Sequence, residues 1–558
     1  MKNKMNQRKN PWELKAIFAS VCLIFLVFLG VPMCMILFQS LVGKEGITLE
    51  FYHNILSGRN IGIVFAQSVG IAMLAAVITT LLAFTLAYSI HFTNIPSWSK
   101  KLIKGAAVLP MLLPTITYGF AIIYSLGRQG LITQIFGRQL FNIYGIGGLL
   151  LGYVIYTLPV SFLLLNNTME FIDKKFLIVS QVMGDKNLRT FWQTILRPLA
   201  GTLAASVIQC FSLSFTDFGI PASVGGEIEV VAGVLYNEML GSVPNFHNGA
   251  VVALIMLLPS IISIGVLTYL ERYNIRYAKI SPIELKKNKV RDIGCSIASA
   301  VILLCVLSVF AVIILIPFVK EWPYEITFTL EHIQEVFADQ ALVNVFINSL
   351  KTAALTALFG TIVVYGAALV VARSKLSGAC KKVIEAISLV TNTVPGMVLG
   401  IAFLLTFKGT SLQNTTAILV FCNIIHFFST PYLMMKSSLG KMNASWETTA
   451  SLMGDSWLKT IARVVTPNAI STLIEVFGYY FVNAMVTVSA VIFLTGARTM
   501  VMTTKIKELQ HYAKFNEIFV LSLLILFTNI IARTVFDGLS KHKWNIKLHK
   551  NKKIGERA

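Results

Sequence analysis

Runs of about 20 apolar residues alternate with short polar segments along the whole chain, and a run of that length crosses the hydrocarbon core of a bilayer as a helix. A helix is what an open chain must form there, because every backbone N–H and C=O is then satisfied within the segment. The first half supplies runs over residues 16–40, 65–89, 105–126, 147–165, 202–221 and 249–270. The second supplies 295–318, 352–372, 383–407, 417–435, 471–496 and 518–536. The pattern predicts an all-α membrane protein of twelve spans. The first run follows a basic preface but is longer than a signal-peptide core and has no A-x-A site after it, so it reads as a retained helix.

Composition sharpens this picture. Hydrophobic residues make up 55% of the 558, charged ones only 13%, and mean hydropathy is +0.72. A soluble chain carries about 25% charged residues; with so few, a cytosolic enzyme, a disordered tail and a fibrous protein are excluded. The net charge of +21 would suggest nucleic acid in a soluble protein, but here the basic residues crowd into short segments between apolar runs, as in loops facing anionic lipid. Six of the seven cysteines, Cys22, Cys34, Cys210, Cys295, Cys305 and Cys422, lie in apolar runs; with Cys380 they form no C-x-x-C pair and read as small buried hydrophobes.

Alternate loops differ sharply in basic residues. One side collects 36 of the 47 Lys and Arg: the N-tail, the 100–104, 174–197, 272–291, 373–382 and 436–463 segments, Arg533 and the tail from Lys541. The positive-inside rule makes that side cytoplasmic and predicts both termini there. The same side carries an internal repeat: MGDKNLRT at Met183–Thr190 returns as MGDSWLKT at Met453–Thr460, an offset of 270 residues. QSV around Ser68 and NSL around Ser349 repeat with an offset of 281. Residues 1–270 and 295–539 are therefore two six-helix units of parallel topology, joined by a basic linker over 271–294 and followed by a basic tail over 540–558.

The repeated loop predicts a short helix, a turn at Gly184 or Gly454, and a second helix ending at Pro198 or Pro467. It resembles the E-A-A loop of type I ABC-importer permeases, in which E-A-A is followed by three residues, G, nine residues and I-x-L-P. The second copy keeps the spacing from Gly454 to Pro467, with Val464 for Ile; the first has one extra residue before Pro198. Both depart at the triplet, reading Ile178, Val179, Ser180 and Thr448, Thr449, Ala450. GRQGLI, SFTDFGIPASVGG and TVSAVIFL extend the resemblance to fused permeases of the ferric-iron and 2-aminoethylphosphonate uptake branch, the phosphonate type being the more similar over residues 217–226.

The resemblance implies a MetI-like permease fold in the cytoplasmic membrane. It implies coupling loops built on Gly184, Asp185, Pro198, Gly454, Asp455 and Pro467 that dock on a pair of ABC ATPase subunits, and an extracytoplasmic solute-binding protein that delivers a small solute. No G-x-x-x-x-G-K-[ST] occurs, so ATP belongs to the partner subunits and no cofactor or metal is expected in this chain.

Within the spans the ionisable residues are chiefly Asp217, Lys351, Glu385, His426 and Glu475. Such groups are costly in lipid and are functional candidates, yet Lys351, Glu385 and Glu475 sit near helix starts, where snorkelling or capping explains them, and His426 reads as a hydrogen-bonded core residue. Ser214, Asp217, Thr487 and Ser489 are the candidates for the translocation path. Pro110, Pro114, Pro159, Pro395 and Pro431 punctuate spans, which either border a pathway or only pack. The rival class, a twelve-helix ion-coupled secondary transporter, needs intramembrane ion sites, for which only Asp217 qualifies, and it leaves the duplicated loop unexplained. A membrane enzyme would need His and acidic clusters at catalytic spacing.

Overall fold

The computed structural model describes residues 12–58, 61–270, 288–374 and 376–555. Most of the basic linker, the N-terminal basic residues before Trp12 and the last three residues lie outside them. Among the described residues nine helices are long and apolar enough to cross a membrane, or twelve if three bent helix pairs each count as one span. Those pairs are Ser97–Leu112 with Thr115–Phe136, bent by 111°, Gly378–Thr393 with Gly396–Phe407, bent by 104°, and Thr416–His426 with Ser429–Gly440, bent by 59°. They coincide with the third, ninth and tenth runs. Their breaks fall at Pro114, at Pro395 and just before Pro431, where a missing N–H and the ring's clash end a helix. Pro159, by contrast, stays inside the continuous helix Ile146–Met169.

Two helix ends differ from the sequence expectation. The fifth and eleventh runs stop at Thr216 and Val486, not at residues 221 and 496, and each is followed by one extended residue, Asp217 or Thr487. The chain then turns, through the short helix Gly219–Val224 in the first half and through turns over residues 489–494 in the second.

The packing divides into two units. One comprises residues 1–44, 339–505 and 524–558; the other comprises 45–338 and 506–523. Repeat boundaries and packing boundaries thus do not coincide: each half's first span packs with helices of the other half, and residues 506–523 of the second half also belong to the first half's unit. Trp12–Leu41 packs in the unit of the second repeat, where Phe28 stacks on Phe421 at 4.0 Å and Phe25 meets Phe428 at 4.5 Å. The span Lys289–Phe318 packs in the other unit, where Ser299 Oγ donates to Ser89 Oγ at 2.9 Å and Phe310 lies 6.1 Å from Tyr118.

Each unit is built around one long helix, Ile61–Phe92 or Gln340–Ala372. Their buried faces repeat with the 281-residue offset: Ala72, Ala75, Ala76, Ala83 and Ala87 in one, Ala353, Thr356, Ala357, Val364 and Ala368 in the other. Small residues at helical spacing let neighbouring backbones approach, and in lipid that close packing is what holds helices together.

The repeat also reaches the segment between first and second spans. Thr48 and Thr329 each accept a hydrogen bond from the amide two residues on, that of Glu50 at 3.0 Å or Glu331 at 3.1 Å. These turns start the helices Glu50–Gly58 and Glu331–Ala338, which bury Ile55 and Val336 at matching positions. Sequence reading missed this pair, although T-L-E occurs in both.

Candidate functional site: two repeated loops and two helix breaks

In each repeated loop a short helix, Lys175–Val182 or Ser445–Leu452, is followed by a glycine with φ of +83° (Gly184) or +86° (Gly454). The residue after it returns its N–H to the carbonyl five positions back, Asp185 to Ser180 at 3.1 Å and Asp455 to Ala450 at 2.9 Å. That 6→1 bond closes a helix C-terminus around a left-handed residue, which glycine adopts without a Cβ penalty. A Cβ on either glycine would meet nothing within 4 Å, so backbone conformation and not space selects glycine here. Asp185 then bonds the Ser180 hydroxyl at 2.7 Å and Arg189 at 3.2 Å, while Asp455 pairs with Lys459.

The prolines do not end the second helix as the sequence suggested. Asn187–Thr216 and Trp457–Val486 each run 30 residues through them. A π turn, Trp192–Leu196 or Ile461–Val465, precedes each, with Pro198 and Pro467 two residues beyond. Proline offers no N–H to the preceding turn and its ring crowds the carbonyl there, and a widened turn accommodates both. The two π turns are aligned on their prolines, so the extra residue of the first loop falls upstream: Asn187–Phe191 has five residues and Trp457–Thr460 four.

What braces the loops differs. In the first, Ser180 Oγ also lies 3.0 Å from Thr190 Oγ1, closing a buried hydroxyl network across the turn. In the second, Ala450 replaces Ser180, and the brace is an ion pair. Arg373, at the end of Gln340–Ala372 and with only 3% of its side chain exposed, donates from Nε and Nη2 to the two carboxylate oxygens of Glu447 at 2.6 Å each, and to the carbonyls of Met442 and Asn443. Glu447 stands one position before the expected triplet, which is why motif matching passed over it. The clue was its isolation, since Asp455 is the other acidic residue of the 436–463 segment. The base of the first loop holds cations instead: burial and the neighbouring Lys174 ammonium pull Lys100 below the usual lysine range, and burial does the same to Lys174.

At the tips, the two residues before each glycine are apolar and open: Val182 and Met183 are 82% and 79% exposed, Leu452 and Met453 80% and 79%.

The candidate path residues lie at the ends of the long helices. Ser214 Oγ is buried without a partner. Asp217 is 7% exposed, and its Oδ2 accepts from the Ile220 amide at 2.9 Å, with the Thr115 hydroxyl and the Gly219 amide also bonding the carboxylate. These are the bonds of a cap on the helix Gly219–Val224. Thr487 occupies the matching place in the second repeat and is 8% exposed. Beside each break the backbone passes close to a neighbouring helix start, and the two repeats trade the small residue. A Cβ on Gly219 would lie 2.2 Å from Thr115 Oγ1, whereas in the second repeat Gly396 stands at the position of Thr115 and its Cβ would lie 2.7 Å from Ser489 Oγ.

Residues 80–276 and 364–542 match the family described as the binding-protein-dependent transport system inner membrane component, once per repeat. The chain belongs to that family of transport permeases. It is similar to the putative ferric transport system permease protein FbpB 1 of Haemophilus influenzae, 27% identical over 87% of this chain and 79% of the relative. It is likewise similar to the ferric transport system permease protein FbpB of Actinobacillus pleuropneumoniae, 27% identical over 87% of this chain and 72% of the relative. A shorter stretch, 25% of the chain, is 28% identical to the molybdenum transport system permease protein ModB of H. influenzae and covers 64% of it.

Proposed function

We propose that this chain is the translocation subunit of an ABC importer for ferric iron in complexed form, driven by separate ATPase subunits and supplied by an extracytoplasmic binding protein. The observation that carries the reading is the pair of Gly-turned loops, in register and each ending in an exposed apolar pair; similarity to two ferric permeases over most of the chain supports the solute. On this reading the loops and both termini face the cytoplasm, and Met183 and Met453 with their neighbours enter an apolar cleft on each ATPase of a dimer. An exposed Val-Met or Leu-Met pair at a loop tip offers apolar surface that such a cleft would cover.

The mechanical step follows from helix continuity. Each loop's second helix is also the span that ends at Asp217 or Thr487, a rod of about 45 Å at 1.5 Å per residue. Displacing the loop therefore moves the break directly, with the π turn as the place where the rod can re-register. Gly184, Asp185, Pro198, Gly454, Asp455 and Pro467 shape the levers; Ser214, Asp217, Thr487 and Ser489 sit where the levers act.

The test is reconstitution. The chain with its ATPase should accumulate radioactive iron, and Met183→Lys with Met453→Lys should abolish ATPase association while the chain still inserts. Gradient-driven uptake by the chain alone would favour the ion-coupled class, and uptake of 2-aminoethylphosphonate in place of iron would move the solute to the phosphonate branch.

A further inference from the structure

In the second repeat three interruptions meet. They are the break between Gly378–Thr393 and Gly396–Phe407, the break between Thr416–His426 and Ser429–Gly440, and the end of the long helix at Thr487. Gly396 joins them: a Cβ there would lie 2.7 Å from Ser489 Oγ and 3.1 Å from both Cε1 and Nε2 of His426. One turn before His426, Cys422 Sγ reaches the Ala490 carbonyl at 3.7 Å, so the same helix face meets the turn after Thr487.

Polar groups here lack partners. His426 Nδ1 is buried with none. Asn423, three residues earlier on the same side of the helix, is fully buried, and neither its amide nitrogen nor its oxygen is bonded. Buried polar atoms are nearly always satisfied, so a buried amide open at both ends beside an open imidazole marks a place where something else supplies the partner. Facing His426 is the start of Gly396–Phe407, whose first capping bond runs from Leu399 N to Pro395 O. The N–H groups of Gly396, Met397 and Val398 precede it and lend the site partial positive charge.

The first repeat closes the corresponding place. Tyr153 and Tyr156 stand at the positions of Asn423 and His426, Ile146–Met169 runs through unbroken, and the Asp217 carboxylate fills the turn from within. We infer that His426, Asn423, Ser489 and the start of the Gly396–Phe407 helix form a subsite for an oxyanion group of the transported solute. Imidazole, amide, hydroxyl and backbone N–H can all donate to such a group, and no carboxylate stands among them to neutralise a bare multivalent cation. The oxyanion has two possible carriers, a phosphonate itself or a carboxylate or phosphate ligand wrapped round a ferric ion. That this ligand is a solute rests on the importer reading; that the site binds an oxyanion does not.

The test uses the full chain in detergent with isotope-labelled histidine, the His426 ring signal being identified among the eight histidines by its loss in His426→Gln. Methylphosphonate, gallium citrate as a diamagnetic stand-in for the ferric complex, free citrate and magnesium chloride are titrated in turn. The expected result is a saturable shift of the His426 signal with methylphosphonate or with gallium citrate, whichever moves it naming the carrier, and a midpoint weakened about tenfold in Asn423→Leu. No shift with any oxyanion, an equal shift with magnesium, or an unchanged midpoint in a folded Asn423→Leu chain overturns the subsite. The wild-type titration decides even where a variant fails to fold. Because binding is read without the ATPase, loss of ATP dependence in the uptake assay would overturn the importer reading and leave this result standing.

Discussion

The first repeated loop is tied to itself, through Ser180, Asp185 and Thr190, whereas the second is tied to the preceding span, through Arg373 and Glu447. Apart from the one extra residue in Asn187–Phe191, the backbone repeats in both, down to the φ of the turning glycine and the π turn placed two residues before proline. The two copies thus share the turn and the π turn but differ in what braces them. A hydroxyl network holds the first loop within its own segment; an ion pair fastens the second loop's base to the helix Gln340–Ala372.

The comparison is most easily broken at the ion pair. Glu447→Gln or Glu447→Ala leaves a nearly buried guanidinium without its counter-charge, a loss of about 3–5 kcal/mol by the usual cost of orphaning a buried ion. Hydrogen exchange over residues 443–460 should accelerate strongly while residues 175–190 are unaffected, and similar acceleration in both loops would show that the bracing is shared. Next in size are the turns. Gly184→Val or Gly454→Val forces a β-branched residue into left-handed backbone at about 1–2 kcal/mol each; uptake should fall in both single variants with membrane insertion intact, and normal uptake by the double variant would reduce these glycines to loop filler.

Asp217 sharpens the comparison at the far ends of the same helices. Asn can still accept from the Ile220 amide, so Asp217→Asn should cost under about 1 kcal/mol, whereas Asp217→Leu strands the amides it caps and should cost about 1–3 kcal/mol. Folded yield and uptake for the two variants separate a cap from a path residue: a folded Asn variant that fails to transport puts the charge on the path. The smallest effect concerns Lys100 and Lys174. A lysine whose pKa is depressed in the fold destabilises it while charged, and that cost fades as pH rises through the depressed value. Raising pH from 7 toward 10 should slow opening of the first loop's base relative to the second, and added salt at pH 7 should reproduce only the small part due to Lys100–Lys174 repulsion, since salt screens charge but does not relieve burial. Hydrogen exchange corrected for intrinsic pH dependence reads it.

Much of this was legible in the sequence because lipid imposes a simple grammar. Span count, the repeat at Gly184 and Gly454 and the left-handed turns follow from run length and glycine chemistry. What was hidden depends on neighbours distant in sequence. Glu447 carries meaning only once Arg373 is known to face it. The fifth span reads as continuing to Pro221 because Phe218, Gly219 and Ile220 are apolar, yet Asp217 finds three donors and turns the chain. His426 read as a satisfied core histidine, since nothing in one sequence shows that Nδ1 lacks a partner. Nor could apolar pattern reveal which helices the first span joins, as Trp12–Leu41 offers similar apolar surface on every side.

That exchange of first spans bears on how the protein is made. A ribosome completes residues 12–41 roughly 300 residues before the helices they pack against begin to follow from Asp339, an interval of about 15–60 s at ordinary elongation rates. Throughout it the first span sits in the bilayer with Phe25 and Phe28 unmatched, while the first half's own helices wait for Lys289–Phe318 to fill the corresponding place. Each unit contains residues from both halves. Keeping both on one polypeptide holds the waiting span near its eventual neighbours, which two separately synthesised halves would have to find by diffusion in the membrane.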